Sequence, residues 1–153
     1  MSDACQLVVL QLDDQRYALR LDTVERVIRA LEIAPLPGAP AGVLGVVNIQ
    51  GQVMPVYDLR ARLSRPSQPL RLSDQIVLAR TNRRQVGVCV DAVAEVLTYQ
   101  PEHEIAAAAL GPGDAYVTGV VKLPDGLLLI HDLDRFLTPA EEHVLNRALE
   151  ATN

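Results

Sequence analysis

The sequence predicts an all-β body of duplicated short strands, closed by one C-terminal helix, and three observations carry that prediction. The first is a hairpin unit written twice. Residues 42–63, GVLGVVNIQGQVMPVYDLRARL, read as strand, Gly turn, strand and short helical stop, and the frame returns at a constant offset of 74 as GVVKLPDGLLLIHDLDRFL. Gly45 matches Gly119, Val46 Val120, Val47 Val121, Asp58 Asp132, Leu59 Leu133 and Leu63 Leu137, and most mismatches are chemically quiet, as with Val56 and Ile130. The second is spacing: two similar sets of about five short strands, punctuated by Gly or Pro turns, fit small antiparallel barrels or strongly curved sheets. The third is the lack of any helix of about ten residues between strands, which a parallel α/β sheet needs.

Residues 5–12, CQLVVLQL, form the first strand and stop at Asp13-Asp14, a polar turn pair. Gln15 to Leu21 alternates, with Tyr17, Leu19 and Leu21 on one face and Arg16, Ala18 and Arg20 on the other, the period of a half-buried strand. Asp22 then offers an acceptor for a helical turn over Thr23 to Arg26, before Val27-Ile28. Pro35, Pro37 and Pro40 exclude regular structure and make a stiff connector over 34–41. The duplicated hairpin follows, and Asp58 caps a brief helix from Leu59 to Leu63. Residues 64–73, SRPSQPLRLS, are polar and without periodicity, and read as the linker between halves.

The second half repeats this grammar. Asp74 to Thr81 is a strand, Asn82 to Arg84 a turn and Gln85 to Val90 a strand closed by Asp91, as Asp22 closed its counterpart. Val24, Val27 and Ile28 are answered by Val93, Val96 and Leu97. Pro101 to Gly113 is an alanine-rich, weakly specified connection, and Tyr116 to Leu123 pairs with Leu127 to Asp132 across Pro124-Asp125-Gly126. Thr138-Pro139-Ala140-Glu141 is a capping box with Pro at the first helical position, and Val144, Leu145, Ala148 and Leu149 form an apolar stripe. These boundaries divide a single domain, 1–153, into a first subdomain at about 14–73, a second at about 74–137 with exchange of the N-terminal strand allowed, and a helix at 138–151.

At 153 residues the chain can bury a core without a metal or disulfide. Its 49% hydrophobic and 22% charged residues are those of a globular protein. Only 3% of residues are aromatic and the net charge is −5, which argues against nucleic acid as partner, since stacking platforms and a basic footprint are both missing. Cys5 and Cys89 lack the spacing of a zinc or redox pair, and Cys89 lies in an apolar run that favours an inert, buried thiol. MSDACQLVVLQL has no basic leader, and no apolar run approaches the ~20 residues of a membrane span, so a cytoplasmic protein without membrane insertion is expected.

The sequence offers no catalytic set, cofactor motif or metal ligands. His131 adjoins Asp132 at a strand end, but neighbours in a strand point to opposite faces. Asp22, Asp58, Asp91 and Asp132 recur at equivalent corners, where capping explains them. Glu102-His103-Glu104 cannot converge on a metal without further ligands. The glycines of GVLGVVNIQG precede a strand and lack the Lys and helix N-terminus of a phosphate cradle. Arginines at 60, 62, 65, 71, 80, 83 and 84 offer a basic face for an acidic partner, or a solvated one.

The hairpin resembles the hallmark of CheW-like adaptor domains, G-V-x-N-x-R-G-x-x-x-P-x-x-D-L-R-x-x-L, through Gly45, Val46, Asn48, Gly51, Pro55, Asp58, Leu59, Arg60 and Leu63. Tyr17-Ala18-Leu19, the V-x-x-V-I frame, the Pro37 and Pro40 connector, VGVCVDAVAEVL and YVTGVV are similar to the family in the same order. The resemblance implies two SH3-like five-stranded barrel subdomains. It also implies a non-enzymatic scaffold coupling a chemoreceptor's cytoplasmic tip to the regulatory domain of a CheA-type histidine kinase. It places receptor contact in a groove between subdomains, which carries over to Val24, Val27, Gly45, Asn48 and Gly51.

Two departures fall in that region. Gln50 stands where the family usually has Arg, and Arg26 where it often has Glu, so both join the expected partner surface. Gln is neutral with one donor group and one acceptor, whereas Arg carries a permanent charge on a forked donor set. The departures mark either drift or a changed partner. A divergent auxiliary adaptor on the same fold is therefore an alternative, and a small hydrolase or ligand-binding barrel using His131 and Asp132 belongs to a different class.

Overall fold

A computed structural model of the chain describes residues 5–29, 33–62, 66, 71–106 and 117–152. The described residues form eleven strands: β1 (Cys5–Leu12), β2 (Gln15–Arg20), β3 (Val24–Arg29), β4 (Val43–Ile49), β5 (Gln52–Tyr57), β6 (Gln75–Arg80), β7 (Gln85–Val90), β8 (Ala92–Tyr99), β9 (Glu104–Ala106), β10 (Val117–Leu123) and β11 (Gly126–His131). Two helices join them, α1 (Leu59–Arg62) and α2 (Pro139–Thr152), with single 3₁₀ turns at Leu21–Thr23, Pro101–His103 and Leu133–Arg135. The strands form one sheet in the order β8-β1-β2-β11-β10-β9 and another in the order β3-β6-β7-β5-β4. All ladders are antiparallel except β2 with β11 and β7 with β5.

Each sheet draws on both copies of the repeat. The first copy's opening hairpin, β1-β2, lies in the middle of the second copy's sheet, and the second copy's β6-β7 lies in the middle of the first copy's sheet. The two ladders match position by position: Ile130 pairs with Ala18 as Val56 pairs with Gly87. The same bulges recur, between Val24 and Arg26 against β6 and opposite Val9/Leu10 in β8, and at Val43/Gly45 and Val117/Gly119 in the last hairpins. The steric cause is firm at Gly45, where a Cβ would stand 2.2 Å from the Ala34 carbonyl oxygen; at Gly119 it would stand 2.6 Å from Oε2 of Glu104, a side-chain end that can shift.

A central position explains the composition of the exchanged hairpins. A strand covered on both faces becomes a continuous apolar run, and Leu7 to Leu10, Tyr17 to Leu19, Ile76 to Ala79 and Val86 to Val88 are buried throughout. One face of each sheet contributes to a shared core, with Leu10, Leu19, Tyr57, Val77 and Val88, which Phe136, Leu145 and Ala148 close. The other face of each sheet carries its own cluster. Leu7, Val9, Leu128 and Ile130 are the counterparts of Ile76, Leu78, Met54 and Val56. Strands of a single sheet bury these clusters, so each sheet must curl around its own.

The closed barrels expected from the resemblance are open sheets: among the described residues no ladder joins β8 to β9 or β3 to β4, and one sheet has six strands. The division at about 73/74 does not separate the sheets, since residues 24–90 supply one and residues 5–20 with 92–131 the other. Three local expectations also change. The helical turn sits at Leu21–Thr23, starting two residues before its expected place, so Val24 to Arg26 are strand; Arg20 is its N-cap and Asp22 does not cap it. Glu104 to Ala106, inside the weakly specified connection, pair with β10. Val144 is 41% exposed, and Glu142 is buried in the helix face instead. Leu63, most of the 64–73 linker, 107–113 and Tyr116 lie outside the described residues.

Candidate functional site

The expected partner residues all belong to the five-stranded sheet. Val24, Arg26 and Val27 lie on its edge strand β3, and Gly45, Asn48, Gln50 and Gly51 lie on β4 and the turn into β5. The hairpin turn is a two-residue loop with Ile49 opposite Gln52. Its central residues both have positive φ, +54° at Gln50 and +87° at Gly51, as the tight mirror-image turn of a hairpin requires. Asn48 supports it, its Oδ1 accepting the Gly51 N–H at 2.9 Å. Asn48 and Gly51 therefore set the turn's shape, and Gln50 is held at its tip.

Arg26 and Gln50 border the same hollow. They line one depression of about 350 Å³ together with Glu25, Gln52 and Gln85, over a partly apolar floor of Ile49, Met54 and Leu78. A chain of side chains crosses it: the Gln52 amide donates to Gln85 Oε1, and the Gln85 amide donates to Glu25 Oε1 at 2.8 Å. Arg26 makes no ion pair or hydrogen bond with any described residue. The bulge between Val24 and Arg26 places Glu25 as the extra residue of β3, which brings two consecutive side chains to one depression. Val27 is exposed nearby at 38%. Val24 instead packs against the shared core, and Gly45 is buried beneath Ala34. Of the expected partner residues, Arg26 and Gln50 line this depression, which lies within one sheet. Glu25, Gln52 and Gln85 escaped the sequence reading because their convergence depends on the exchange of β6-β7 into this sheet.

The repeat supplies a second version of this place at the other end. Glu95 and Arg16 stand at the positions equivalent to Arg26 and Gln85, and Arg16 lies 3.8 Å from Glu95 and 3.0 Å from Asp125. At that end the cation has carboxylate partners within the chain.

Elsewhere the polar groups hold the fold. Of the arginines offered as a basic face, Arg60 is clamped by Asp13 at 2.9 Å and Asp91 at 2.8 Å. Arg62 pairs with Glu141, Arg71 with Asp74 and Asp91, and Arg83 and Arg84 with Glu142. Counter-charges within the chain neutralise most of that face; Arg80 has none among the described residues, and Arg65 lies outside them. His131 is 4% exposed with its ring edge-on to Tyr17 at 5.4 Å, while Asp132 turns its carboxylate to the Asp134 N–H at 2.9 Å. The pair packs and caps. Glu104, from the Glu-His-Glu run, binds Arg20 and Tyr99, and among the described residues no group of three or more His, Cys, Asp or Glu is placed to hold a metal. No helix of the described residues is long and apolar enough to cross a membrane.

Comparison with known proteins decides the family. A family model described as "CheW-like domain" matches residues 6–141. The chain belongs to the CheW-like domain family. Among curated relatives, this CheW-like domain is similar to "Chemotaxis protein CheW" of Rhizobium meliloti, 30% identical over 142 residues and covering 90% of this chain and 89% of that one. It is 29% identical over 135 residues to the protein of the same name from Bacillus subtilis, with 86% of each covered. It is also 31% identical over 115 residues to "Protein FrzA" of Myxococcus xanthus, covering 73% of this chain and 71% of that one. Among solved structures, scaffolding protein TtCheW from Thermoanaerobacter tengcongensis superposes with a TM-score of 0.80 at 24% identity, covering 90% of this chain and 94% of that one, and shares the fold. In this CheW-like domain four residues of the hairpin motif have structural contacts or conformations: Asn48 and Gly51 in the turn, Asp58 at the start of α1 and Arg60 on Asp13.

Proposed function

We propose that this CheW-like domain is a non-enzymatic cytoplasmic adaptor that couples chemoreceptor cytoplasmic tips to the regulatory domain of a CheA-type histidine kinase. The observation that carries the reading is the family match across 6–141, which spans both sheets and the start of the terminal helix. Arg26, Val27 and Gln50 contact the partner directly, while Val24, Gly45, Asn48 and Gly51 fix the backbone that presents them. Their common placement on β3 and the β4-β5 turn, with an exposed rim and an apolar floor, supports this division. The test is a binding titration of the folded domain against a receptor-tip fragment and a kinase regulatory domain. Micromolar or tighter binding to at least one is expected, and binding to neither overturns the reading.

A second reading, an auxiliary adaptor serving another partner, is favoured by Arg26 and Gln50. Under it, the double substitution Arg26→Glu with Gln50→Arg raises affinity for a receptor tip that binds ordinary family members. Unchanged affinity assigns the two departures to drift.

A further inference from the structure

We propose that the depression around Arg26 selects a partner segment presenting one carboxylate side chain beside an apolar one, with Arg26 as the residue that determines specificity. The inference rests on the adaptor reading and names the chemistry of the surface that the adaptor recognises.

Four observations converge on this occupant. Arg26 lines the depression and is without an ion pair or hydrogen bond among the described residues, so its planar fork of donors is open. The one carboxylate beside it, Glu25, is already engaged, accepting from Gln85 at 2.8 Å. Gln85 in turn accepts from Gln52, so these two polar side chains bordering the depression are neutral amides bonded to each other, which add no charge. Beneath them the depression is lined by Met54 and Leu78, 4% and 5% exposed, together with the half-buried Ile49.

The rest of the molecule shows what an answered site looks like. At the equivalent place in the six-stranded sheet the charge at the position of Arg26 is reversed, to Glu95, and Arg16 from the neighbouring strand answers it. In the five-stranded sheet the position of Arg16 is held by Gln85, which is neutral. Among the described residues the cation of Arg26 has no counter-charge, which leaves its fork open to a partner's group.

Glu25 and Arg26 sum to no net charge, so the depression does not attract acidic surfaces from a distance. Recognition is local and geometric, through a bidentate contact between the fork and a carboxylate, and one acidic residue in an apolar context fits better than a polyacidic run. A carboxylate pairs at Arg26, and a cation at the same position meets it at contact distance, a juxtaposition that weakens binding strongly.

The test measures binding of receptor-tip and kinase-regulatory-domain fragments to wild type, Arg26→Lys and Arg26→Glu, with folding checked by circular dichroism. For the fragment that binds, Arg26→Glu is expected to weaken affinity by about tenfold or more. Arg26→Lys should give an intermediate loss, because a point charge replaces the fork. Reversing one acidic residue of that fragment to Lys should restore binding to Arg26→Glu and not to wild type. Binding that is indifferent to both Arg26 variants overturns the inference and leaves the adaptor reading intact. Binding of neither fragment by folded wild type overturns both. If Arg26→Glu instead changes only the domain's sedimentation, the occupant is a second copy of this chain and the proposal fails.

Discussion

Glu104 ties three strands together: its carboxylate accepts from Arg20 of β2 at 3.0 Å and from Tyr99 of β8, and it lies over Gly119 of β10. Burial alone would raise its pKa, but hydrogen bonds from Tyr99 and Arg20 outweigh burial and hold it below the usual value of 4.5. A carboxyl depressed in the folded state stabilises above its unfolded pKa and loses that contribution as pH falls through the folded value. Stability should therefore drop as pH falls below about 4.5, and Glu104→Gln should flatten that acid limb in denaturant titrations at stepped pH. Cys89 behaves oppositely. Burial, then Asp74, pushes its thiol up to about 11, so at neutral pH it carries almost no thiolate, the reactive form. Iodoacetamide should modify it only under unfolding conditions, and rapid native-state labelling at Cys89 by mass spectrometry would contradict the assignment. Residue roles were legible in sequence where they are local. The repeated Asp58 and Asp132 do cap their turns, Asp58 accepting from Ala61 at 3.3 Å and Asp132 from Asp134 at 2.9 Å. Asp91 does not: it accepts the Asp13 N–H at 2.6 Å and pairs with Arg60, partners 78 and 31 residues away that no local pattern announces.

At the scale of elements, the terminal helix follows its sequence signal most closely. Glu141 N–H donates to Thr138 Oγ1 at 3.1 Å, and the Thr138 N–H donates back to Glu141 Oε1 at 2.9 Å, the reciprocal capping box read from Thr-Pro-Ala-Glu. Glu141 also pairs with Arg62, fastening the helix start to α1. Thr138→Ala should cost about 1 kcal/mol, measurable by urea denaturation, with the helix still docked through Leu145 and Ala148. Strands were legible to a similar degree in position but not in burial. The alternation in Gln15 to Leu21 suggests one wet face, yet Tyr17, Ala18 and Leu19 are all buried, because β2 lies between β1 and β11 with apolar clusters on both sides. Residue chemistry sets a strand's propensity; its neighbours in the sheet set which faces stay dry.

For the whole molecule, the repeat announced two equivalent sets of strands without announcing which hairpin serves which sheet. Both arrangements satisfy the same local patterns, and only tertiary pairing distinguishes them. The exchange makes the halves interdependent. Chains 1–70 and 71–153 each lack the central hairpin of one sheet, so each should be unfolded alone by circular dichroism, and mixing should restore a 1:1 complex with native sheet signal. Arg60 reinforces the junction where the chain passes between sheets. Its side chain, 11% exposed, joins the β1-β2 turn at Asp13 to the β7-β8 corner at Asp91. Arg60→Met leaves two carboxylates short of their shared cation and should cost about 3 kcal/mol, read as a lowered denaturation midpoint.

The reciprocal loan of hairpins also has a consequence for symmetry. The same ladders would form in a symmetric dimer of half-length chains, each lending its opening hairpin to the other, and the polypeptide between β5 and β6 turns two such chains into one. In a dimer encoded by one gene every substitution appears twice, so both ends must carry the same charge. Fusion lifts that constraint, and a single chain can then hold Arg26 at one end and Glu95 at the other.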